Sequence, residues 1–320
     1  MLYWEGKKGA FAMEQIPYFD AHCDTLMACR QGSSLRSGPT AIALDKTGAL
    51  APYAQVFAIF YNTNSVPPEQ RLAETARYHD CYVRQLEECR DRVVHCTGRN
   101  DVLRAVQSGK AAALLSIEDA ALIACDPAQL ETAAAWGVQL INITWNHCNL
   151  LSGSCNDVPE QGLTDLGRAF VREAERLGIR MDVSHLSERG FWDLVRWTEQ
   201  PIVASHSNSA ALRPHPRNLT DDQFRAVAES GGVVGLSVYD DFLGSREGIP
   251  AFTAHLEHFL DLGGENAVGI GTDFDGCSPC PDLGDISAMP HLWAALKARG
   301  YDDGLLRKLF FDNWLRVLRA

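Results

Sequence analysis

Ala111-Ala112-Ala113-Leu114-Leu115-Ser116-Ile117-Glu118 is a run of small and apolar residues closed by a carboxylate. A run so uninterrupted has no solvent-facing side, so it predicts a strand buried on both faces of a parallel sheet. The acid at its end is costly to bury alone and must be paired or metal-bound. Three further segments end in the same way: Asp20-Ala21-His22-Cys23-Asp24, Asp182-Val183-Ser184-His185 and Ala204-Ser205-His206. Imidazoles and carboxylates delivered from the ends of different strands are how a parallel barrel assembles a metal site.

Around these segments, short β-branched and apolar stretches alternate with longer amphipathic ones. Strands are expected at 17–21, 54–61, 111–117, 137–144, 179–184, 201–205, 232–238 and 267–272. Helices are expected at 67–90, 98–109, 127–136, 164–177, 187–198, 220–230, 250–262 and 288–298. Gly178 stops the amphipathic pattern that begins at Asp165, and Thr220 reads as an N-cap before Asp221-Asp222. Eight alternations in 320 residues match an α/β fold of the (β/α)8 TIM-barrel type. A doubly wound open sheet fits less well, because no glycine-rich phosphate loop follows the first strand. The irregular stretches 31–53 and 145–163 follow the first and fourth expected strands, where a barrel carries active-site loops.

The composition, 46% hydrophobic and 22% charged, is that of an ordinary globular protein. With 29 basic and 41 acidic residues the net charge is −12, which argues against nucleic acid or an anionic membrane as partner. No apolar stretch approaches the roughly 20 residues a membrane span needs. Lys7 and Lys8 are followed by Glu14 and Gln15 before any run long enough for a signal peptide. Residues 1–12 therefore read as a short extension and 13–320 as a single catalytic barrel. Ten cysteines without an export signal read as reduced thiols of a cytoplasmic protein. Cys277-Ser278-Pro279-Cys280 is a lone C-x-x-C with no thioredoxin-like context, so ordinary loop thiols are its plainer reading.

In a strand, positions i and i+2 point the same way, so His22 and Asp24 would face one metal. A structural histidine and a turn-capping aspartate are the competing reading. Glu118 is the stronger ligand candidate, its neighbour Asp119 being better suited to capping. His185 and His206, at the tops of adjacent strands, can share a zinc with a carboxylate. Asp182 shares a face with Ser184 and reads as supporting or structural. In Gly269-Ile270-Gly271-Thr272-Asp273-Phe274-Asp275-Gly276, Asp273 sits nearer the strand end and suits a proton shuttle, whereas Asp275 reads equally as part of a D-x-D-G turn. Together these are too many ligands for one tetrahedral zinc, and they fit two metals bridged by a carboxylate and a hydroxide.

With these segments in this order, the chain resembles the membrane (renal) dipeptidase family of zinc metallopeptidases, within the amidohydrolase-like barrels. The matching stretches run from Asp20-Ala21-His22-Cys23-Asp24-Thr25 through Ile117-Glu118-Asp119, Met181 to His185 and Ser205 to Asn218, ending at Gly276. Most other amidohydrolase barrels open with His-x-His, where this chain has His-x-Asp. The resemblance implies two zinc ions per subunit, His22 and Asp24 on one, His185 and His206 on the other, bridged by Glu118 and a hydroxide. It implies that Arg217 grips a dipeptide's carboxylate, a task suited to a guanidinium fork, and that Asp273 serves the bridging water. Without the resemblance, Arg217 reads as a surface arginine near a helix start. Members of the family are often homodimers.

One position departs from the family. A catalytic histidine is expected directly after Thr144, and Trp145 stands there, with His147 the nearest histidine. Either His147 reaches the same place from a shifted loop, or Trp145 lines the pocket and the role is lost. The implied activity is hydrolysis of dipeptides, including those with a D-residue at the C-terminal position. The alternatives are a related amidohydrolase acting on a lactone, cyclic amide or phosphoester, and a non-catalytic metal-binding relative.

Overall fold

Among the described residues, nine strands, all paired in parallel, organise the molecule: β1 (Ile16–Asp20), β2 (Leu50–Ile59), β3 (Val93–His95), β4 (Ala111–Glu118), β5 (Val138–Asn142), β6 (Arg180–Asp182), β7 (Val203–Ala204), β8 (Val233–Leu236) and β9 (Val268–Ile270). The computed structural model describes residues 15–320, so the extension expected over 1–12 lies outside the described residues. The sheet runs β2-β1-β9-β8-β7-β6-β5-β4, and β4 pairs back to β2, which closes a barrel of eight. This is the (β/α)8 architecture the alternation predicts.

β3 is the strand the sequence pattern does not reveal. It is three residues long and pairs with Ala111–Ala113 at the start of β4, while β5 takes the end of the same edge from Leu115 onward. Several expected strands also end early. The stretch expected at 179–184 is a strand only over Arg180–Asp182, and that at 201–205 only over Val203–Ala204. The residues left over leave the ladder to form the mouth of the barrel.

Period-two alternation divides each strand between two cores. Phe19, Ala54, Val56, Ala112, Leu114, Leu140, Val203 and Val233 fill the barrel interior, whereas Ala113, Leu115 and Ile117 pack in the layer shared with the helices. The interior is sealed from below by the C-terminal segment. Trp314 stacks on Phe19 at 6.3 Å between ring centroids, and Phe311 meets the same ring edge-on at 5.9 Å. Gly269 leaves room for this plug, because a Cβ there would lie 2.3 Å from Trp314 Nε1. Since Ala112 and Leu114 point inward, Glu118 does too, at the opposite end.

The helices begin where their caps predict. Thr164, Ser187 and Thr220 each accept a hydrogen bond from a backbone N–H three residues on, opening helices Asp165–Arg176, Glu188–Trp197 and Asp221–Glu229. Thr220 and Gln223 form a full capping box. Gly178, at φ 74°, ends the first of these helices in the left-handed conformation that glycine adopts most easily. Among the described residues no helix is long and apolar enough to cross a membrane.

Candidate metal centre

The strand ends bring the expected residues to one point. Glu118 is the last residue of β4, and its two oxygens face different neighbours. Oε2 lies 3.4 Å from His22 Nε2, which is itself 3.7 Å from Asp24 Oδ2 and 3.8 Å from Asp273 Oδ1. Oε1 lies 3.0 Å from His185 Nε2 and 3.7 Å from His206 Nε2, and those two nitrogens are 3.0 Å apart. His22, Asp24, Glu118, His185 and His206 are all buried.

Two local devices aim these side chains. Asp20, at the end of β1, accepts the His22 and Thr272 backbone N–H groups on Oδ1. Asp182, at the end of β6, accepts those of Ser184 and Ser205 on its Oδ1. Each aspartate thus ties the turn carrying one histidine to a second strand end. Beyond β1 an isolated parallel bridge joins Cys23 to Phe274, carrying the pleat far enough to keep His22 and Asp24 together. His185 and Asp273 sit at φ 74° and 65°, a left-handed backbone that a non-glycine residue adopts only when its surroundings hold it there. Gly276 completes the turn because a Cβ there would lie 1.9 Å from Asp24 Oδ2.

The arrangement fits metal cations. Buried His22 Nε2, Asp24 Oδ1 and Glu118 Oε2 have no hydrogen-bond partner among the described residues. Orphaned polar atoms that converge in this way need a ligand. The ring orientations agree with that need. His185 Nδ1 is 2.9 Å from Asn146 Oδ1, and His206 Nδ1 is 2.7 Å from Ser205 Oγ, so both Nε2 lone pairs are left for the centre.

The electrostatics carry the same message. Burial pushes the Glu118 carboxyl up to about 7, with the nearby Asp24 charge adding to it, and raises Asp273 well above the carboxylate range. Burial opposes a charge on His22, yet Glu118 and Asp24 outweigh it and hold that ring well above its ordinary value. Burial, with Arg217 and His22 nearby, keeps His185 and His206 well below theirs and so neutral, the form that binds a metal.

Above the centre is a cavity of about 530 Å³, lined by Asp24, Glu118, His185, His206 and Asp273 and walled by Phe60, Trp145, Tyr239 and Phe242. Arg217 is buried, donates to the His206 carbonyl at 3.3 Å and lies over the Phe242 ring. It also lines an adjoining cavity of about 370 Å³. Trp145 packs against Phe60, with ring centroids 5.0 Å apart. His147 does not line either cavity; its side chain is 44% exposed and its ring stands edge-on to Trp145, because the chain turns outward after Asn146. Asp275 belongs to the surrounding framework, accepting Thr25 Oγ1 at 2.6 Å and the Ala41 amide at 2.7 Å, which anchors the loop after β1. The cysteines of the C-x-x-C diverge: Cys277 lines the cavity with its thiol toward the Thr272 carbonyl, while Cys280 donates to Ser245.

Several lining residues carry no signal in the sequence. Phe60, Asn146, Asn156, His215 and Tyr239 reach the cavity from outside helices and strands, Asp241 from the short helix Asp240–Leu243, and none belongs to a spaced motif. Only Asn146 could have been suspected, from its place beside Trp145.

Comparison with known proteins identifies the family and the fold. The model of the membrane dipeptidase family, peptidase family M19, matches residues 8–320. An uncharacterised protein from the pqqA 5′ region of Klebsiella pneumoniae is 36% identical over 259 residues, 75% of this chain and 96% of that protein. A metallo peptidase from Rhodobacter sphaeroides, solved with a phosphinate mimic of the dipeptide L-Ala-D-Ala, superposes with a TM-score of 0.86 at 30% identity, covering 95% of this chain and 99% of its own. The metallo peptidase called dipeptidase AC superposes with a TM-score of 0.87 at 31% identity, covering 95% and 98%. This chain therefore belongs to the membrane dipeptidase family and is a metallodipeptidase on a (β/α)8 barrel.

Proposed function

We propose that the protein hydrolyses dipeptides with the help of two zinc ions, and that it accepts a D-residue at the C-terminal position. The observation that carries the two-metal reading is the division of the Glu118 carboxylate, Oε2 toward His22 and Oε1 toward His185 and His206. His22, Asp24 and Glu118 Oε2 would hold one ion, and Glu118 Oε1, His185 and His206 the other. When bound, such a pair supplies an activated water as nucleophile and draws charge from the scissile carbonyl.

The remaining work falls to the chain. Arg217, buried at the edge of the cavity, would grip the substrate carboxylate with its planar fork. Asp273, whose Oδ1 lies 3.8 Å from His22 Nε2, would carry the proton to the leaving amine. Trp145 and Phe60 exclude water from one wall. The similarity to a peptidase solved with an L-Ala-D-Ala mimic supports the stereochemical part of the reading.

The test is a panel of dipeptides, with L- and D-residues at the C-terminal position, offered to zinc-loaded protein whose metal content has been measured. Amino acid release with about two zinc ions per chain is expected. No release from any dipeptide would overturn the reading.

A further inference from the structure

We propose that Asn146 supplies the hydrogen bond that steadies the carbonyl oxygen during hydrolysis. The assignment rests on the dipeptidase reading above. The Asn146 amide is held in one orientation by its own acceptor. Oδ1 receives Asn156 Nδ2 at 2.8 Å and His185 Nδ1 at 2.9 Å. His185 turns Nε2 toward Glu118 Oε1 at 3.0 Å, so a metal-binding ring carries its proton on Nδ1 and must donate to Asn146. Flipping the amide would set an N–H against that proton. Both lone pairs of Oδ1 are therefore used, and the NH2 group is the end left over.

That end has no hydrogen-bond partner among the described residues, in a side chain that lines the cavity beside Trp145, Glu118 and His185. Attack on the peptide carbonyl carbon moves the C=O π pair onto oxygen. The pair returns as the C–N bond breaks and the amine nitrogen takes a proton. Between those events the oxygen is an anion, and a fixed N–H donor is worth most there.

Of the nearby donors, His147, His215 and Tyr239 are engaged or misplaced. His147 lies outside the cavity. His215 accepts the Arg217 backbone N–H at 3.1 Å and turns Nε2 to Asp241 at 3.4 Å. Tyr239 packs edge-on to Phe242, the ring under Arg217, which places it at the carboxylate end of the substrate. The amide is also neutral, so it donates at every working pH.

Two variants separate the donor from its support of His185. Asn146→Ala removes both functions without adding charge; Asn146→Asp keeps the acceptor for His185 but puts a charged oxygen in place of the N–H. With saturating zinc, both are expected to retain the wild-type metal content, to lose about 10²–10³-fold in kcat, and to change KM by less than about threefold. Affinity for a phosphinate dipeptide analogue, whose P–O group stands where the anion forms, should fall by a factor similar to the loss in kcat. A kcat within about threefold of wild type for Asn146→Asp, or an activity loss that simply tracks lost zinc, overturns the assignment and leaves Asn146 a positioning residue for His185. A wild type that cleaves no dipeptide overturns the dipeptidase reading and this assignment with it. A wild type that cleaves dipeptides beside an unaffected Asn146→Ala overturns this assignment alone.

Discussion

Asp20 holds Thr272 twice, accepting its backbone N–H on Oδ1 at 3.0 Å and its hydroxyl on Oδ2 at 2.6 Å. β1 and β9 share only the register pair Asp20–Ile270, so this clamp does much of the work of joining the first and last strands. Asp20→Asn leaves one acceptor oxygen where two are used and sets an NH2 group against a donor. A loss of about 1–3 kcal/mol is expected in urea unfolding, together with weaker zinc retention. Unchanged unfolding would show that the seam is held elsewhere.

Zinc should stabilise the fold as well as activate it. The centre crowds Glu118, Asp24 and Asp273 around a single raised histidine, and cations would relieve that crowding. A ligand that binds only the native state adds about 2.7 kcal/mol at a hundredfold excess over its Kd. Thermal unfolding should therefore move to lower temperature after chelation and return when zinc is restored. A transition indifferent to chelator would count against a buried metal centre.

Glu118→Gln tests the bridge separately from its flanks. Because its two oxygens face different histidines, this single change should weaken both ion sites, whereas Asp24→Asn should weaken one. Metal analysis after dialysis is expected to find fewer ions in the glutamine variant than in the asparagine one. Equal stoichiometries would argue that Glu118 belongs to one site only.

Arg217→Lys keeps the charge and loses the fork. A hydrogen bond to a charged group contributes about 1.5–3 kcal/mol, so KM for dipeptides should rise about tenfold to a hundredfold with a smaller change in kcat. Steady-state kinetics on one good dipeptide decides it. An unchanged KM would place the substrate carboxylate away from Arg217.

Gly276→Ala is the smallest change expected to disable the centre. Its Cβ would stand 1.9 Å from Asp24 Oδ2 and 2.8 Å from Asp273 Oδ1, so one or both carboxylates must move. Zinc content and activity should fall while the circular dichroism of the barrel is preserved. Full activity would mean that the turn relaxes without disturbing Asp24.

The barrel was legible because its strands are buried on both faces, so hydrophobic runs such as Ala111–Ile117 stand out against the amphipathic helices. β3 was not, since three residues beside Arg90 and Arg92 make no periodic signal. The C-terminal plug was missed for a different reason. Phe311 and Trp314 are buried by the barrel floor, and a floor is a property of the closed sheet rather than of any local pattern. At the mouth, residues tied to strand ends could be read: Glu118 by position, His22 with Asp24 by alternation. The pairing of Asn146 with Asn156 could not, because what matters there is which atom of one amide faces which atom of the other. Trp145 in place of a histidine was visible in the sequence; that His147 turns away from the cavity needed the loop.

β4 is flanked along its length in a way no other strand is among the described residues, by β2 on one edge and by β3 and then β5 on the other. That strand ends in Glu118. If two cations bind as proposed, they must keep a fixed gap for a water to sit between them, and the residue that would span it stands on a rod braced along both edges. Val93–His95, at the far end of β4 from the chemistry, would thereby be part of the gauge that sets the gap.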